Sequence, residues 1–469
     1  MPEHFDFIAV GGGSAGFNAA RVATNFAKRV AVVDGAKELG GLCILRGCMP
    51  SKALIYTAEV LHHARHGGAL GLNIPSATAD MAAIHARKRR IIGEFAEHRR
   101  QQLESGKFEL IRGFARFSGK NELTISDGSV VTADHILIGT GSRISWPAVP
   151  GLRESQPWTS DDVLDLDFVP ESVIVLGGGV VACELAQLLV RLGSRVTQIQ
   201  RSRHILKEVH PDAVVIVEAA MRGDGIELFT ATRLKRVSFA AGEFTAVFEH
   251  DGREYERRAR HLVNALGREP DVAGLDLARA GIELLPDGHI RTNHFQQTTN
   301  PQVYAAGDCA GPHEIVHVAI QQAEVAVRHA FKQRVAPMTY DTLLQVVFTD
   351  PQLATIGPNQ HELDRRGIPY LMGNHPFHDH GKSIVMEAKY GHIKVLAEPK
   401  TGKLLGAEVI GRDAGELIHV FAVALSAGLS VADLLRAPWY HPTLAEVLTY
   451  PLEEIADQMA GTHDAAQPM

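Results

Sequence analysis

The chain has 469 residues, 45% of them hydrophobic and 22% charged, with a formal net charge of −7. That balance belongs to an ordinary folded protein with a sizeable core; it excludes a disordered or fibrous chain and offers no basic excess for nucleic acid or an anionic membrane. At roughly 150 residues per domain the length suggests about three domains. Four cysteines are too few for a disulfide scaffold, whereas 44 glycines suggest many tight turns and 24 histidines need an account of their own.

The first predicted element is an apolar strand, Phe5 to Val10, with no charged and apolar leader before it, and no apolar run reaches the ~18 residues of a membrane span. The expected location is therefore the cytoplasm. Gly11, Gly12, Gly13, Ser14, Ala15 and Gly16 follow, then a helical stretch through Phe26 and a strand from Arg29 that ends at Asp34. Such a unit holds a dinucleotide: glycines let the pyrophosphate approach a helix N-terminus, and the acid, 18 residues beyond Gly16, binds a ribose hydroxyl.

Next comes Gly40-Gly41-Leu42-Cys43-Ile44-Leu45-Arg46-Gly47-Cys48-Met49-Pro50-Ser51-Lys52. Residues five apart on a regular helix differ by about 7.5 Å of rise, so a bridge between the cysteines would need distorted backbone. Gly47 allows it, and a strained bridge is easily reduced and re-formed. Arg46 would help hold a thiolate by its charge, unless it is simply exposed. His62, His63 and His66 are expected on a helix, and the arginine-rich helix from Met81 to Gly106 reads as a solvated face.

The dinucleotide unit then recurs. A strand from Val173 to Leu176 leads to Gly177, Gly178, Gly179, Val180, Val181 and Ala182, a helix from Cys183 to Leu192, and a strand from Arg195 to Gln200. Gly177 follows Gly11 by 166 residues and Gln200 follows Asp34 by the same 166, without a gap. Two such sites suit a flavin enzyme reduced by a nicotinamide, whereas an ordinary dehydrogenase needs one. In the second copy the acid is replaced by Gln200, with Arg201, Arg203 and Lys207 following, which favours NADPH over NADH because arginine attracts a 2′-phosphate that a carboxylate repels.

The cysteine stretch is similar to the active-site signature of the flavin-dependent pyridine nucleotide-disulfide oxidoreductases, the family of glutathione reductase, dihydrolipoamide dehydrogenase and mercuric reductase. The resemblance extends to Gly139-Thr140-Gly141, to Gly267-Arg268 with Pro270, and to Val303-Tyr304-Ala305-Ala306-Gly307-Asp308. It continues through Val347-Phe348-Thr349-Asp350-Pro351 and His441-Pro442-Thr443-Leu444-Ala445-Glu446.

The resemblance implies an α/β fold with two Rossmann-like domains and an α+β C-terminal dimerisation domain. The FAD domain would span 1–148 and resume over 270–336 around an inserted NAD(P) domain at 149–269, with the interface domain at 337–469. FAD would be bound by Gly11, Gly13, Ser14, Ala15, Gly16, Asp34, Gly41, Thr140, Gly141, Asp308, Val318 and Ala319. The nicotinamide cofactor, NADPH with NADH left open, would meet Gly177, Gly179, Val180, Val181, Arg201, Lys207 and Gly267. Cys48 would be the flavin-side thiol and Cys43 the interchange thiol. Lys52 would pair with Glu184 near the flavin, and His441, oriented by Glu446, would act as general acid/base toward the other subunit's disulfide in an obligate homodimer. Cys183 and Cys309 read as small buried residues.

Some residues depart from the family pattern. Leu45 stands where the family usually has Asn, and Ala437-Pro438-Trp439-Tyr440 would make the substrate mouth bulkier and more apolar. Several stretches look closest to mercuric reductase, including Gly307-Asp308-Cys309 and Ala414-Gly415-Glu416-Leu417-Ile418. Yet His441 replaces that branch's tyrosine, and the tail from Gly461 to Met469 lacks its paired cysteines. A small disulfide or dithiol substrate is therefore expected, with a metal ion, service to a lipoyl carrier complex, and quinone or oxygen reduction as alternatives. His378 and His380, alternating on a strand, would face one side, but a third metal ligand is missing.

Overall fold

The computed structural model describes residues 2–388 and 390–464. Residues 465–469 of the tail discussed above lie outside them, as do the side chains of 462–464. Among the described residues no helix is long and apolar enough to cross a membrane.

The apolar start becomes the strand Glu3–Val10, and the two faces of its pleat feed two cores. Phe7 and Ala9 pack on the helix Ser14–Ala23, while Ile8 and Val10 pack against Val303 and Ala305 on the other side. Alanines let the helix sit close: Ala15, Ala19 and Ala23 share a core with Ala319, Ala323 and Ala326 of the helix Val316–Ala330. Parallel strands Glu109–Arg112, Val30–Asp34, Glu3–Val10 and Val130–Ile138 lie side by side, and Val303–Ala305 pairs with the end of the last. The first helix stops at Ala23, short of the expected Phe26.

The second unit repeats this with strands Glu227–Phe229, Arg195–Ile199, Ser172–Leu176 and His261–Asn264, all parallel. Its helix runs Val180–Leu192, three residues earlier than expected, because the chain turns into it directly from Gly179. The chain passes between the two units through a two-stranded crossing, Ser142–Ile144 against Arg268–Pro270. The C-terminal part is an antiparallel sheet in the order Leu344–Val347, Gln352–Ile356, Leu404–Gly411, His392–Ala397 and Leu371–Pro376. The helices Ala414–Ser426 and Thr449–Asp464 pack on it.

Three further expectations need correction. The strand that carries His375 ends at Pro376, so His378 lies in the 3₁₀ turn Phe377–Asp379 and His380 caps the next helix; they do not alternate on a strand. Among the described residues no group of three or more His, Cys, Asp or Glu could hold a metal ion. The long arginine-rich helix spans Met81–Leu103 and stops before Gly106, whose φ of +77° suits a turn. His66 follows the end of the helix Cys48–Arg65 that carries His62 and His63.

The dinucleotide loop depends on one close approach. A Cβ on Gly16 would stand 1.8 Å from the carbonyl oxygen of Gly11, so the first turn of the helix can meet the strand end only without a side chain. Gly16→Ala is expected to cost about 1–3 kcal/mol through this clash and to reduce the FAD retained through purification. The thermal melt and the flavin-to-protein absorbance ratio check it; a variant matching wild type in both contradicts the close approach.

Candidate functional site

Gly11, at φ +102°, follows the first strand, and a Cβ there would lie 2.5 Å from the Gly139 oxygen. The neighbouring Gly12 N–H donates to Asp34 Oδ2 at 2.8 Å, and Ala36 N–H donates to Oδ1 at 2.8 Å, which fixes the carboxylate at the strand end. A cleft of about 520 Å³ opens here, lined by Gly11, Gly13, Ser14, Ala15 and Asp34 from the first unit, and by Gly41, Cys43 and Cys48. Thr140, Gly141, Asp308 and Ala319 complete it from more distant segments. Two expected members are absent from the lining: Gly16 packs under Gly11, and Val318 is buried in the helix while Val316 takes the cleft position.

The donor set suits FAD. The helix N-terminus after Gly13 offers free N–H groups for a pyrophosphate, and Asp34 stands where a ribose hydroxyl would bind. Thr140 Oγ1 is buried with no hydrogen-bond partner among the described residues, and a Cβ on Gly41 would come within 2.6 Å of Gly13 Cα. Asp308 accepts from Ser142 Oγ at 2.7 Å, and Ser142 Oγ accepts from Arg268 Nε at 2.8 Å, so the crossing between the units also orients the acid. Glu314 joins the lining, its carboxyl pushed up by burial and by the Asp308 charge.

The cysteines lie on two helices, Gly41–Arg46 and Cys48–Arg65, separated at Gly47 where φ is −136° and ψ −117°. Both are thiols in this structure. The hydrogen bond from Cys43 and then the charge of Lys52 pull Cys48 down to about 7, against burial and the Glu184 charge. Its place as first residue of an 18-residue helix acts in the same direction. Cys43 is pushed up, because it is the thiol that keeps the shared proton and because it is buried. Arg46 is exposed and is not among the main causes of either shift, whereas the Lys52 charge is, so Lys52 is the local cation that acts on the pair.

Lys52 follows Cys48 by one helical turn. Its Nζ donates to Glu184 Oε2 at 2.8 Å, with the lysine side chain 32% exposed and the glutamate 4%. Glu184 Oε1 accepts the Phe348 N–H at 3.0 Å, and the Lys52 ammonium stands 4.5 Å from the centre of the Phe348 ring. On the same helix face Gln187 exchanges hydrogen bonds with the Asp350 backbone, accepting its N–H at 2.7 Å and donating to its oxygen at 2.8 Å. Arg191 pairs with Asp224 and Asp350 at 2.8 and 2.9 Å. Sequence reasoning placed Lys52 and Glu184 together but missed Phe348, Gln187 and Arg191; only the quoted Val347 to Pro351 motif hinted at the first.

His441 Nδ1 lies 2.9 Å from each oxygen of Glu446, which leaves Nε2 free for proton transfer. The His441 side chain is 74% exposed and does not line the cleft that holds the cysteines. Of its neighbours, Trp439 turns inward, Nε1 donating to the Leu434 oxygen at 3.0 Å, while Tyr440 stays exposed; only Tyr440 presents the apolar bulk expected of both. Cys183 and Cys309 are fully buried, their thiols held high by burial.

At the second loop Gly177 adopts φ +119°, and a Cβ on it would meet the Ala265 oxygen at 2.3 Å. Nothing lies within 4 Å of a Cβ on Gly179 or Gly267, and Val180 and Val181 are exposed at the helix start. Gly178 packs on Gln200 as Gly12 packs on Asp34. Arg201 and Arg203 are exposed, whereas Lys207 pairs with Glu208 at 3.2 Å.

The pyridine nucleotide-disulphide oxidoreductase family matches residues 5–330, and its dimerisation domain matches residues 344–451. The dihydrolipoyl dehydrogenase of Bacillus subtilis is 32% identical over 448 residues, covering 94% of this chain and 96% of that one. The mercuric reductase of Streptomyces lividans is also 32% identical, over 465 residues and 97% of each chain. Among solved structures, LpdA from Mycobacterium tuberculosis superposes with a TM-score of 0.87 at 27% identity, covering 97% of this chain and 99% of that one. The flavoprotein disulfide reductase RclA from Escherichia coli gives 0.84 at 23% identity, covering 98% and 99%, which speaks for the fold alone. The chain is a member of the pyridine nucleotide-disulphide oxidoreductase family, whose enzymes use FAD and NAD(P)H.

Proposed function

We propose that the chain is an NADPH-dependent reductase of a small disulfide, of the lipoamide or glutathione type, working as a homodimer through Cys43 and Cys48. The observation that carries this reading is the hold of Glu446 on His441 through both oxygens. An oriented histidine serves a thiol leaving group and has no use in reducing a metal ion. Because His441 is exposed and away from its own cysteines, the dimer would bring it to the cysteines of the other protomer.

Bound in the cleft, FAD would carry two electrons from the nicotinamide to the cysteine pair. The reduced pair then acts on substrate. Cys43 gives its proton to His441 and attacks one sulfur, forming a mixed disulfide and expelling a thiolate that His441 protonates. The Cys48 thiolate, held by Lys52, next attacks the Cys43 sulfur; this closes the Cys43–Cys48 bridge and releases the second thiolate. The substrate gains the two electrons that the pair loses. Glu184 keeps Lys52 directed toward the pair.

For the nicotinamide, Gln200 removes the carboxylate that would repel a 2′-phosphate, and Arg201 and Arg203 lie exposed beside it. A second reading, reduction of a metal ion, is favoured by the mercuric reductase relatives at the same 32% identity.

Anaerobic turnover with lipoamide, glutathione disulfide and Hg(II) separates these readings: a disulfide should be reduced, and activity with the metal alone would overturn the proposal. In the same assay the KM for NADPH should lie at least about tenfold below that for NADH, and a preference for NADH would refute the assignment of the arginines. The thiolate of Cys48 should be lost as pH falls through about 7. Lys52→Met should move that midpoint up by about one pH unit, read by ultraviolet thiolate absorbance; an unmoved midpoint would show that Lys52 does not hold the thiolate.

A further inference from the structure

A second histidine stands behind Glu446. His380 precedes the helix Gly381–Val385 and is 2% exposed. Its Nδ1 accepts the Ser383 backbone N–H at 3.3 Å and lies 2.8 Å from Ser383 Oγ. A ring nitrogen that accepts a backbone N–H carries no hydrogen of its own, so in the neutral ring the hydrogen sits on Nε2. Burial holds the ring below the usual histidine range and so keeps it neutral near pH 7. Nε2 is buried with no hydrogen-bond partner among the described residues, and Glu446 Oε2 is 3.9 Å away.

The other groups around this ring leave Nε2 to Glu446. His375 stacks on Tyr450 with ring centres 4.2 Å apart, and its Nε2 lies 3.0 Å from the Asp379 carbonyl oxygen. Tyr450 meets His380 edge to face at 5.9 Å and is itself influenced by Glu446, Glu453 and Asp379. His441 acts on His380 from beyond Glu446.

We propose that His380 is a positioning residue for the acid/base pair, completing a His441–Glu446–His380 relay; this rests on the reading of His441 given above. The 3.9 Å separation exceeds a hydrogen bond. Glu446 can therefore hold His441 with both oxygens in one arrangement and give Oε2 to the His380 Nε2–H in another. An N–H donated to the carboxylate draws off part of its charge, which weakens its support of the His441 imidazolium. Removing the donor must raise the proton affinity of His441.

The test uses the FAD-loaded enzyme with carbon-13 at histidine Cε1, the His441 resonance being assigned by its loss in His441→Gln. In His380→Ala the His441 midpoint should rise by about 0.5–1 pH unit, with disulfide turnover reduced about tenfold. His380→Gln keeps an N–H donor near the Nε2 position and should restore both. If His380→Ala does not fold, His380→Leu, closer in volume, is expected to give the same shift. Nitrogen-15 spectra at about pH 8 should show His380 as the neutral Nε2–H tautomer; an Nδ1–H tautomer overturns the relay. So does an unmoved His441 midpoint in a folded His380→Ala or His380→Leu, and where His441→Gln still abolishes turnover the proposed function survives that result. Full turnover in His441→Gln instead overturns the proposed function, and the relay with it.

Discussion

Glu184 is the constraint on which the site depends. A carboxylate this deeply buried is strongly unfavourable unless paired and hydrogen-bonded, with losses of about 3–5 kcal/mol when one partner of a buried pair is removed. Its partners are Lys52, 132 residues away, and the Phe348 N–H, 164 residues away. One side chain therefore ties the cysteine helix to the helix of the second dinucleotide unit and to the first turn of the C-terminal sheet. Gln187 and Arg191 extend the same clamp along the helix. The chemical consequence follows from the mechanical one: Lys52, held one turn beyond Cys48, lowers a thiol that the hydrogen bond from Cys43 has already favoured as the thiolate.

The two dinucleotide units share backbone geometry and differ at the strand end. In each, a glycine packs against the residue 22 positions later, Asp34 in the first and Gln200 in the second. The backbone must approach closely in both, so the glycines repeat. The strand-end residue would face whatever chemistry a bound ribose carries, so it is free to differ. The crossing that joins the units serves the site as well, because Arg268 and Ser142 orient Asp308 from its two strands.

Much of this was legible in the sequence where the signal is local. The glycine loops, the cysteine spacing and the His441–Glu446 spacing are short-range features, and the pairing of Lys52 with Glu184 came from family resemblance. What was missed is long-range or set by packing. No pattern near residue 348 announces that its N–H closes a buried carboxylate, and no local signal turns Trp439 inward. His378 and His380 read as strand because residues 371–376 are one; Pro376 ends that strand and turns the chain. Arg46 is near the thiols in sequence and allowed two readings, a thiolate's partner or an exposed side chain; the helix turn brings Lys52 to bear and leaves Arg46 exposed. Of the many histidines, His380 gains a task only once its buried setting is known.

The central claim is that Cys48 is the thiolate held beside the flavin while Cys43 is left to meet substrate. Anaerobic stopped-flow mixing of the FAD-loaded enzyme with NADPH tests it most directly, by the long-wavelength absorbance of a thiolate next to flavin. The account predicts that the band forms in wild type, persists in Cys43→Ser and vanishes in Cys48→Ser. A band that survives Cys48→Ser, or its absence from wild type, would contradict it.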